Sequence, residues 1–424
     1  MPARQLPRPP ILLHTAEAYG TLAAVRALGR AGIPVFVADP SRLAPARWSN
    51  YAVRRLTCPP TRNVGRYLDW LLAFGAACPG TVLTPTSDEL AWLFAANLPA
   101  LQRDFRLVAP APDTLLEILD KRRLHEACAR AGIATLPGWF PADEDELDQL
   151  SQELVFPLVV KPRTQLFHRT RSKGGVATDA RSLRHLWRTL GGMGCTEPGL
   201  RRSAPELAEP FVQAYAPGAG EGVLSLSGFV DRSGEVFVVR AARKVPLRPV
   251  QLSVGVWFEA AAVDPSLAQS LRELCRQIGY FGVFEAEFVS WEGSYRLIDF
   301  NPRFYGEMGF DQARGLPLAQ LAYLTALGDD AAARELAEQA KDEVPLGPFV
   351  HRLALGIEAK VLWLQRAPAP KQRLLAAARE ERGGPVLDFV QDDDDPLPAL
   401  LDAGNLFAQY LRHPRSLIRL FRHR

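Results

Sequence analysis

Two short alternating runs constrain the fold more than any other feature. They are Phe284-Glu285-Ala286-Glu287-Phe288 and Leu297-Ile298-Asp299-Phe300-Asn301-Pro302-Arg303, separated by Trp291-Glu292-Gly293-Ser294. Alternation around a glycine-containing connector predicts an antiparallel hairpin. Side chains two apart share a strand face. Glu285 and Glu287 therefore oppose Phe284 and Phe288, and Asp299, Asn301 and Arg303 oppose Ile298 and Phe300. With the turn centred on Gly293, Glu287 faces Asp299, and carboxylates ~5 Å apart repel unless a cation neutralises them. Glu287, Asp299 and the Asn301 carbonyl oxygen are hard donors of the kind that hold Mg²⁺, which completes its shell with water and phosphate. The alternative is an amphipathic hairpin with its polar face in water.

Lysine is scarce: of 50 basic residues only seven are lysines, and Lys121, Lys161, Lys173 and Lys244 fall within one stretch. A lysine is a compact point charge suited to phosphate. Lys161 closes the apolar strand Pro157 to Pro162, where it projects an ammonium from a rigid edge. The next segment carries Arg163, Arg169, Arg171 and Lys173 and ends in Gly174-Gly175. It reads either as a mobile basic cover over an anion or as a solvated surface.

At 424 residues the chain exceeds a single core. Residues 1–110 alternate strand and helix, beginning with Ile11 to Leu13, Gly20 to Ala31 and Ile33 to Ala38, then Thr81 to Thr84, Asp88 to Leu98 and Arg106 to Ala109. This predicts a small open α/β domain. Its first turn, His14 to Gly20, lacks a GxGxxG, so dinucleotide binding and an oxidoreductase are not expected. Residues 111–210 hold a helix opening at Asp120-Lys121 and strands at Leu158 to Lys161 and Val176 to Thr178. Residues 211–330 hold strands at Phe211 to Tyr215, Val223 to Val230 and Val236 to Arg240, followed by the hairpin. Residues 331–424 turn helical and polar; the Asp392 to Asp395 run reads as a solvated loop. The basic tail from Leu411 to Arg424 is either a docked or frayed terminal helix or an amphipathic helix that touches anionic membrane.

The balance of 50 basic and 47 acidic residues shows no concentrated footprint, which argues against a nucleic-acid partner. No apolar run is long enough to span a membrane or form a signal peptide. Five scattered cysteines without a CxxC pair imply neither a disulfide framework nor a zinc site, which fits the cytoplasm.

The ordered series Asp120-Lys121, the VVKP strand ending in Lys161, Phe211 to Gly218, Glu287 and Asp299-Phe300-Asn301-Pro302-Arg303 resembles the ATP-grasp superfamily. It is most similar to the carboxylate-amine ligase-like members related to biotin carboxylase and carbamoyl phosphate synthetase. The resemblance implies a mixed α/β and α+β chain. An open pre-ATP-grasp domain would precede a two-lobed ATP-grasp module and a helical C-terminal appendage. It implies that Lys121, Lys161 and Lys173 contact ATP phosphates, that Gln213, Ala214, Tyr215 and Ala216 read adenine, and that Glu221 lies near the ribose. Glu287, Asp299 and Asn301 would hold two Mg²⁺ ions, with Mn²⁺ as a substitute. Arg303, with Lys161 and Arg243, would act on the acyl phosphate. Arg240, Arg243 and Lys244 are candidates for binding an acceptor anion, and Glu259 and Glu307 for orienting an amine. Two departures are the Arg-rich Gln165 to Arg171 in place of a glycine-rich lid loop, and Ala214 where an acidic residue is frequent. The implied reaction joins a small carboxylate to an amine through an acyl phosphate. The alternatives are a carboxylation or phosphoryl transfer, and a non-catalytic ATP sensor.

Overall fold

The computed structural model describes residues 8–168, 174–216, 222–245, 255–340, 343–357 and 386–412. The chain opens with β1 (Ile11–Leu13), α1 (Tyr19–Arg30), β2 (Val35–Asp39), β3 (Ala52–Thr57), α2 (Val64–Ala77), β4 (Thr81–Leu83), α3 (Asp88–Ala96), α4 (Leu98–Leu101) and β5 (Phe105–Arg106). The five strands form a parallel sheet of order β3-β2-β1-β4-β5. The order reverses between β1 and β4, which opens a crevice beyond their C-terminal ends, the usual place for a ligand in such sheets. The strand expected at Arg106 to Ala109 is shorter and earlier, Phe105–Arg106, with Pro110 and Pro112 just beyond it. β3 was not expected, because Val53, Arg54 and Arg55 are exposed and give no alternating signal.

Next come α5 (Pro112–Leu119), α6 (Lys121–Arg130), β6 (Gly138–Trp139), α7 (Glu144–Glu153), β7 (Leu158–Pro162), β8 (Gly175–Ala177), α8 (Ala180–Gly191), α9 (Pro198–Ser203) and β9 (Pro210–Ala214). The strands make a four-stranded antiparallel sheet of order β6-β9-β7-β8. Leu158, Val160 and Val212 of this sheet pack with Leu147 of α7 and Leu183, Trp187 and Leu190 of α8.

The third sheet follows. Its region contains β10 (Val223–Val230), β11 (Phe237–Lys244), β12 (Trp257–Ala261), α10 (Pro265–Ile278), β13 (Gly282–Trp291), β14 (Ser294–Asn301), α11 (Met308–Ala313), α12 (Leu318–Leu327), α13 (Asp330–Gln339), β15 (Phe349–Val350), β16 (Leu387–Asp388) and α14 (Leu397–Arg412). The seven strands run β14-β13-β10-β11-β12-β15-β16. The expected hairpin is β13 and β14. Its two turn residues, Glu292 and Gly293, have φ of 48° and 76°, the positive angles a tight hairpin turn with right-handed strand twist requires.

The acidic run near the C-terminus is a solvated loop only in part: Asp393 and Asp394 are exposed, but Asp392 pairs with Arg30 and Asp395 turns inward. Asp395 is fully buried and accepts from Arg26 Nε at 2.9 Å, Ser49 Oγ at 2.7 Å and the Asn50 backbone N–H at 2.7 Å, tying this segment to the N-terminal domain. Adjacent acidic residues look alike in sequence; the buried Arg26 distinguishes them, with Nε 2.9 Å from Asp395 and 3.6 Å from Asp392. Beyond Arg412 the basic tail lies outside the described residues. Among those described, no helix is long and apolar enough to cross a membrane.

Candidate functional site

The hairpin register places Glu287 opposite Asp299 and Glu285 opposite Asn301, with a bulge just after Glu287. Glu285 is buried, and Ser225 Oγ on β10 lies 3.1 Å from its Oε1 and 3.2 Å from Oε1 of buried Glu307. Burial, followed by the neighbouring Glu307, holds the Glu285 carboxyl well above the usual carboxylate range, and burial also raises Glu307. Asn301 joins this cluster to a cation. Its Nδ2 donates to Glu285 Oε2 at 3.0 Å, and its Oδ1 accepts from Arg303 Nη2 at 2.8 Å. Arg303 also donates through Nε to Asp88 Oδ1 at 2.9 Å, in the first turn of α3, and through Nη1 to the Phe304 carbonyl at 2.9 Å. A polar chain thus runs from the third sheet to the N-terminal domain.

The lysines arrive from the other side. Lys121 begins α6, capped by the Asp120 carboxylate accepting from the Arg122 N–H at 3.0 Å, and its ammonium is bonded to Asp299 Oδ1. Lys161 on β7 donates to Gln213 Oε1 on the neighbouring β9 at 2.8 Å. His125 stands one helical turn after Lys121, within reach of the charges of both lysines. Burial, then the charges of Lys121 and Lys161, lower its pKa to about 4, so the ring is neutral at physiological pH. Its ring fills the space above Gly138, where an added Cβ would meet Cε1 at 2.6 Å.

The segment after Lys161 corrects one expectation. Arg163 is buried and forks onto the fully buried Asp120 carboxylate at 2.6 and 2.8 Å, while Thr164, Leu166 and Phe167 are buried with it. Phe167 meets Trp92 of α3 edge-on at 5.9 Å. Residues 163–168 are therefore packed rather than a loose basic cover, for which the apolar pair Leu166-Phe167 was the sequence signal. Lys173, Arg169, Arg171 and Glu221 lie outside the described residues.

Gln213 and Ala214 belong to β9, and the Ala214 N–H donates to the Pro137 carbonyl at 2.9 Å. Tyr215 and Ala216 follow the strand. β11 extends to Lys244, past the expected end at Arg240. It carries exposed Arg243 opposite Glu259 of β12, and Lys244 opposite Phe258. Arg240 is no acceptor site: it is buried, with Nη2 donating to the Ala340 carbonyl at 2.6 Å.

Sequence reasoning missed Asp88, Ser225, His125 and the Asp120–Arg163 pair. Only the i, i+4 spacing of Lys121 and His125 was visible in advance. Among the described residues no three His, Cys, Asp or Glu side chains converge as a self-sufficient metal cage. The donor chemistry of Glu287, Asp299 and Asn301 instead fits a hard cation that takes much of its shell from water and phosphate.

No family model matches the chain, and no curated protein matches it in sequence. Solved structures do match. Biotin carboxylase from Campylobacter jejuni, solved as a β,γ-ATP complex, superposes with a TM-score of 0.58 at 15% identity, covering 75% of this chain and 71% of that one. L-amino acid ligase from Bacillus licheniformis gives 0.58 at 14% identity, covering 81% and 79%. Carboxyaminoimidazole ribonucleotide synthase from Aspergillus clavatus, complexed with ATP, gives 0.56 at 14% identity, covering 80% of each chain. This chain has the ATP-grasp fold.

Proposed function

We propose that this protein is an ATP- and Mg²⁺-dependent ligase that joins a small carboxylate to an amine through an acyl phosphate. One observation carries the reading: Lys121 from α6 converges on Asp299, which faces Glu287 across the hairpin. A lysine beside paired carboxylates is an arrangement suited to a metal-bound polyphosphate.

In this reading Lys121 and Lys161 hold ATP phosphates, assisted by Lys173, and Glu221 meets the ribose. Gln213 and Ala214 are already committed to β9, which leaves Tyr215 and Ala216 to offer backbone groups to adenine. Glu287, Asp299 and Asn301 hold Mg²⁺, whose chemistry is to neutralise phosphate charge. Arg303 receives the substrate carboxylate. Of its five N–H groups, those to Asp88, Asn301 and Phe304 account for three. A carboxylate oxygen attacks the γ-phosphorus, the β–γ bridging P–O bond breaks and ADP leaves. The amine nitrogen then attacks the acyl carbon, the C–O bond to phosphate breaks and phosphate departs with the amine's proton. Arg303 is placed to stabilise the oxyanion of that second step, with Arg243 at the acceptor side. Such an enzyme works where ATP is abundant, in the cytoplasm.

The test is ADP release with Mg·ATP across amino acids and small carboxylates, singly and in pairs. Release that depends on one acid and one amine, and is lost in folded Lys161→Ala and Asp299→Ala, supports the ligase. Tight Mg·ATP binding without turnover for any pair favours a nucleotide sensor, and wild-type turnover in either variant removes the site.

A further inference from the structure

Arg303 borders a second space. A cavity of about 60 Å³ lies between the end of β4, the start of β13 and one face of α12, and Arg303 forms part of its wall. The same guanidinium donates to Asn301, two residues from Asp299, so the cavity adjoins the candidate metal centre. Phe94, Leu107, Val283, Phe304 and Ala326 give it an apolar lining. Besides Arg303, Thr84 brings a hydroxyl to the wall. Thr84 is 3% exposed and, among the described residues, its Oγ1 has no hydrogen-bond partner. A buried hydroxyl without a partner is unfavourable in an otherwise apolar wall, and the cost is removed when a ligand supplies the missing bond. Thr84 follows β4 at the crevice where the strand order reverses.

Size sets the class of occupant. A cavity of about 150 Å³ accommodates benzene, so 60 Å³ excludes an aromatic side chain and suits one to three aliphatic carbons. The lining disfavours a charged side chain, because Arg303 is its one ionised residue among those described and is the partner left for the substrate carboxylate.

We propose that this cavity binds the side chain of the acid substrate, and that the acid is a small aliphatic α-amino acid between alanine and valine in size. Its carboxylate lies against the unspent N–H groups of Arg303, its side chain enters the cavity, and its α-amino group donates to Thr84 Oγ1. The inference rests on the ligase reading for its chemistry, but the binding itself is measurable without turnover.

The experiment has two arms on the full chain. In the first, acids are titrated calorimetrically into protein holding Mg²⁺ and a non-hydrolysable ATP analogue. The acids are glycine, alanine, valine, phenylalanine, glutamate and isobutyrate. In the second, hydroxylamine serves as a generic amine, and hydroxamate and ADP are measured for each acid. Alanine or valine is expected to bind at least tenfold more tightly than phenylalanine, glutamate or isobutyrate. Ala326→Leu, which fills the cavity, is expected to weaken that binding tenfold or more while leaving the affinity for the ATP analogue unchanged. Should Ala326→Leu not fold, the near-isosteric Thr84→Val serves: it is expected to erase the preference for alanine over isobutyrate, which carries a methyl group where alanine has its amino group. Preference for phenylalanine or glutamate, absence of alanine and valine binding, or indifference to both substitutions overturns the inference, whatever the turnover. Valine binding that is sensitive to Ala326→Leu but yields no hydroxamate upholds the cavity and overturns the ligase reading instead.

Discussion

Lys121, the first residue of α6, is bonded to Asp299, near the end of β14. The contact places a protein cation on a carboxylate that already faces Glu287, where it offsets part of the like-charge repulsion. In the proposed site, Mg·ATP supplies two competing partners at once, the metal for Asp299 and phosphate for Lys121. Lys121→Met is therefore expected to weaken Mg·ATP binding about tenfold or more, equivalent to ~1.4 kcal/mol. Mn²⁺ binding without nucleotide is expected to be unchanged or tighter, because a competitor for Asp299 is gone. Titration calorimetry with each ligand separates the two effects. Folding stability is expected to change by less than about 1 kcal/mol, since Asp299 is 39% exposed.

Asp120 behaves differently, because it is fully buried and forked by Arg163. Asp120→Ala leaves a buried guanidinium without its partner and removes the cap of α6 in the same step. A loss of about 3 to 5 kcal/mol is expected in urea denaturation, the range for breaking a buried pair on one side. The double variant Asp120→Leu with Arg163→Met is expected to recover part of it, since both charges then leave together.

How much of this could be read beforehand depended on the range of the interaction. The Glu287–Asp299 pairing was legible, because period-two alternation and the glycine turn are local and together set the register. The partnership of Arg303 with Asp88 was not, because 215 positions separate them and nothing local marks an acidic residue in the first turn of α3 as a cross-domain partner. Arg240 and Arg243 show the same limit at shorter range. Alternation puts them on opposite faces of β11, but only the packed structure shows that the Arg240 face is the buried one. The segment after Lys161 was misread for its arginines, although Leu166 and Phe167 make it an apolar anchor.

Asp395 gives a prediction about the C-terminal segment. Its carboxylate gathers Arg26, Ser49 and the Asn50 N–H, and α14 begins two residues later. Asp395→Ala removes the acceptor of all three bonds. Hydrogen exchange is expected to show protection in α14 falling tenfold or more, while β13 and β14 keep theirs. Equal loss in both regions would mean that the contact supports the whole fold rather than this segment.

His14 sets an acid limit on stability. Its ring is buried against Tyr67, Trp70 and Phe94, with centroids at 5.6, 6.1 and 6.1 Å, and among the described residues neither ring nitrogen has a hydrogen-bond partner. Burial lowers its pKa from 6.5 to about 3. Between those values the unfolded chain binds a proton that the native chain does not, so stability is full above pH 6.5 and falls as the pH drops toward 3. The slope for one such group is about 1.4 kcal/mol per pH unit, which makes the loss between pH 6.5 and pH 5 about 2 kcal/mol. His14→Leu removes the titrating group and two unpartnered nitrogens while keeping an apolar side chain against the three rings. Its stability at neutral pH is expected to equal or exceed that of the native chain, and the difference between pH 7 and pH 5 to shrink by about 2 kcal/mol. Urea denaturation of both proteins at the two pH values measures this directly, and parallel losses in the two would show that the ring is protonated in the folded state.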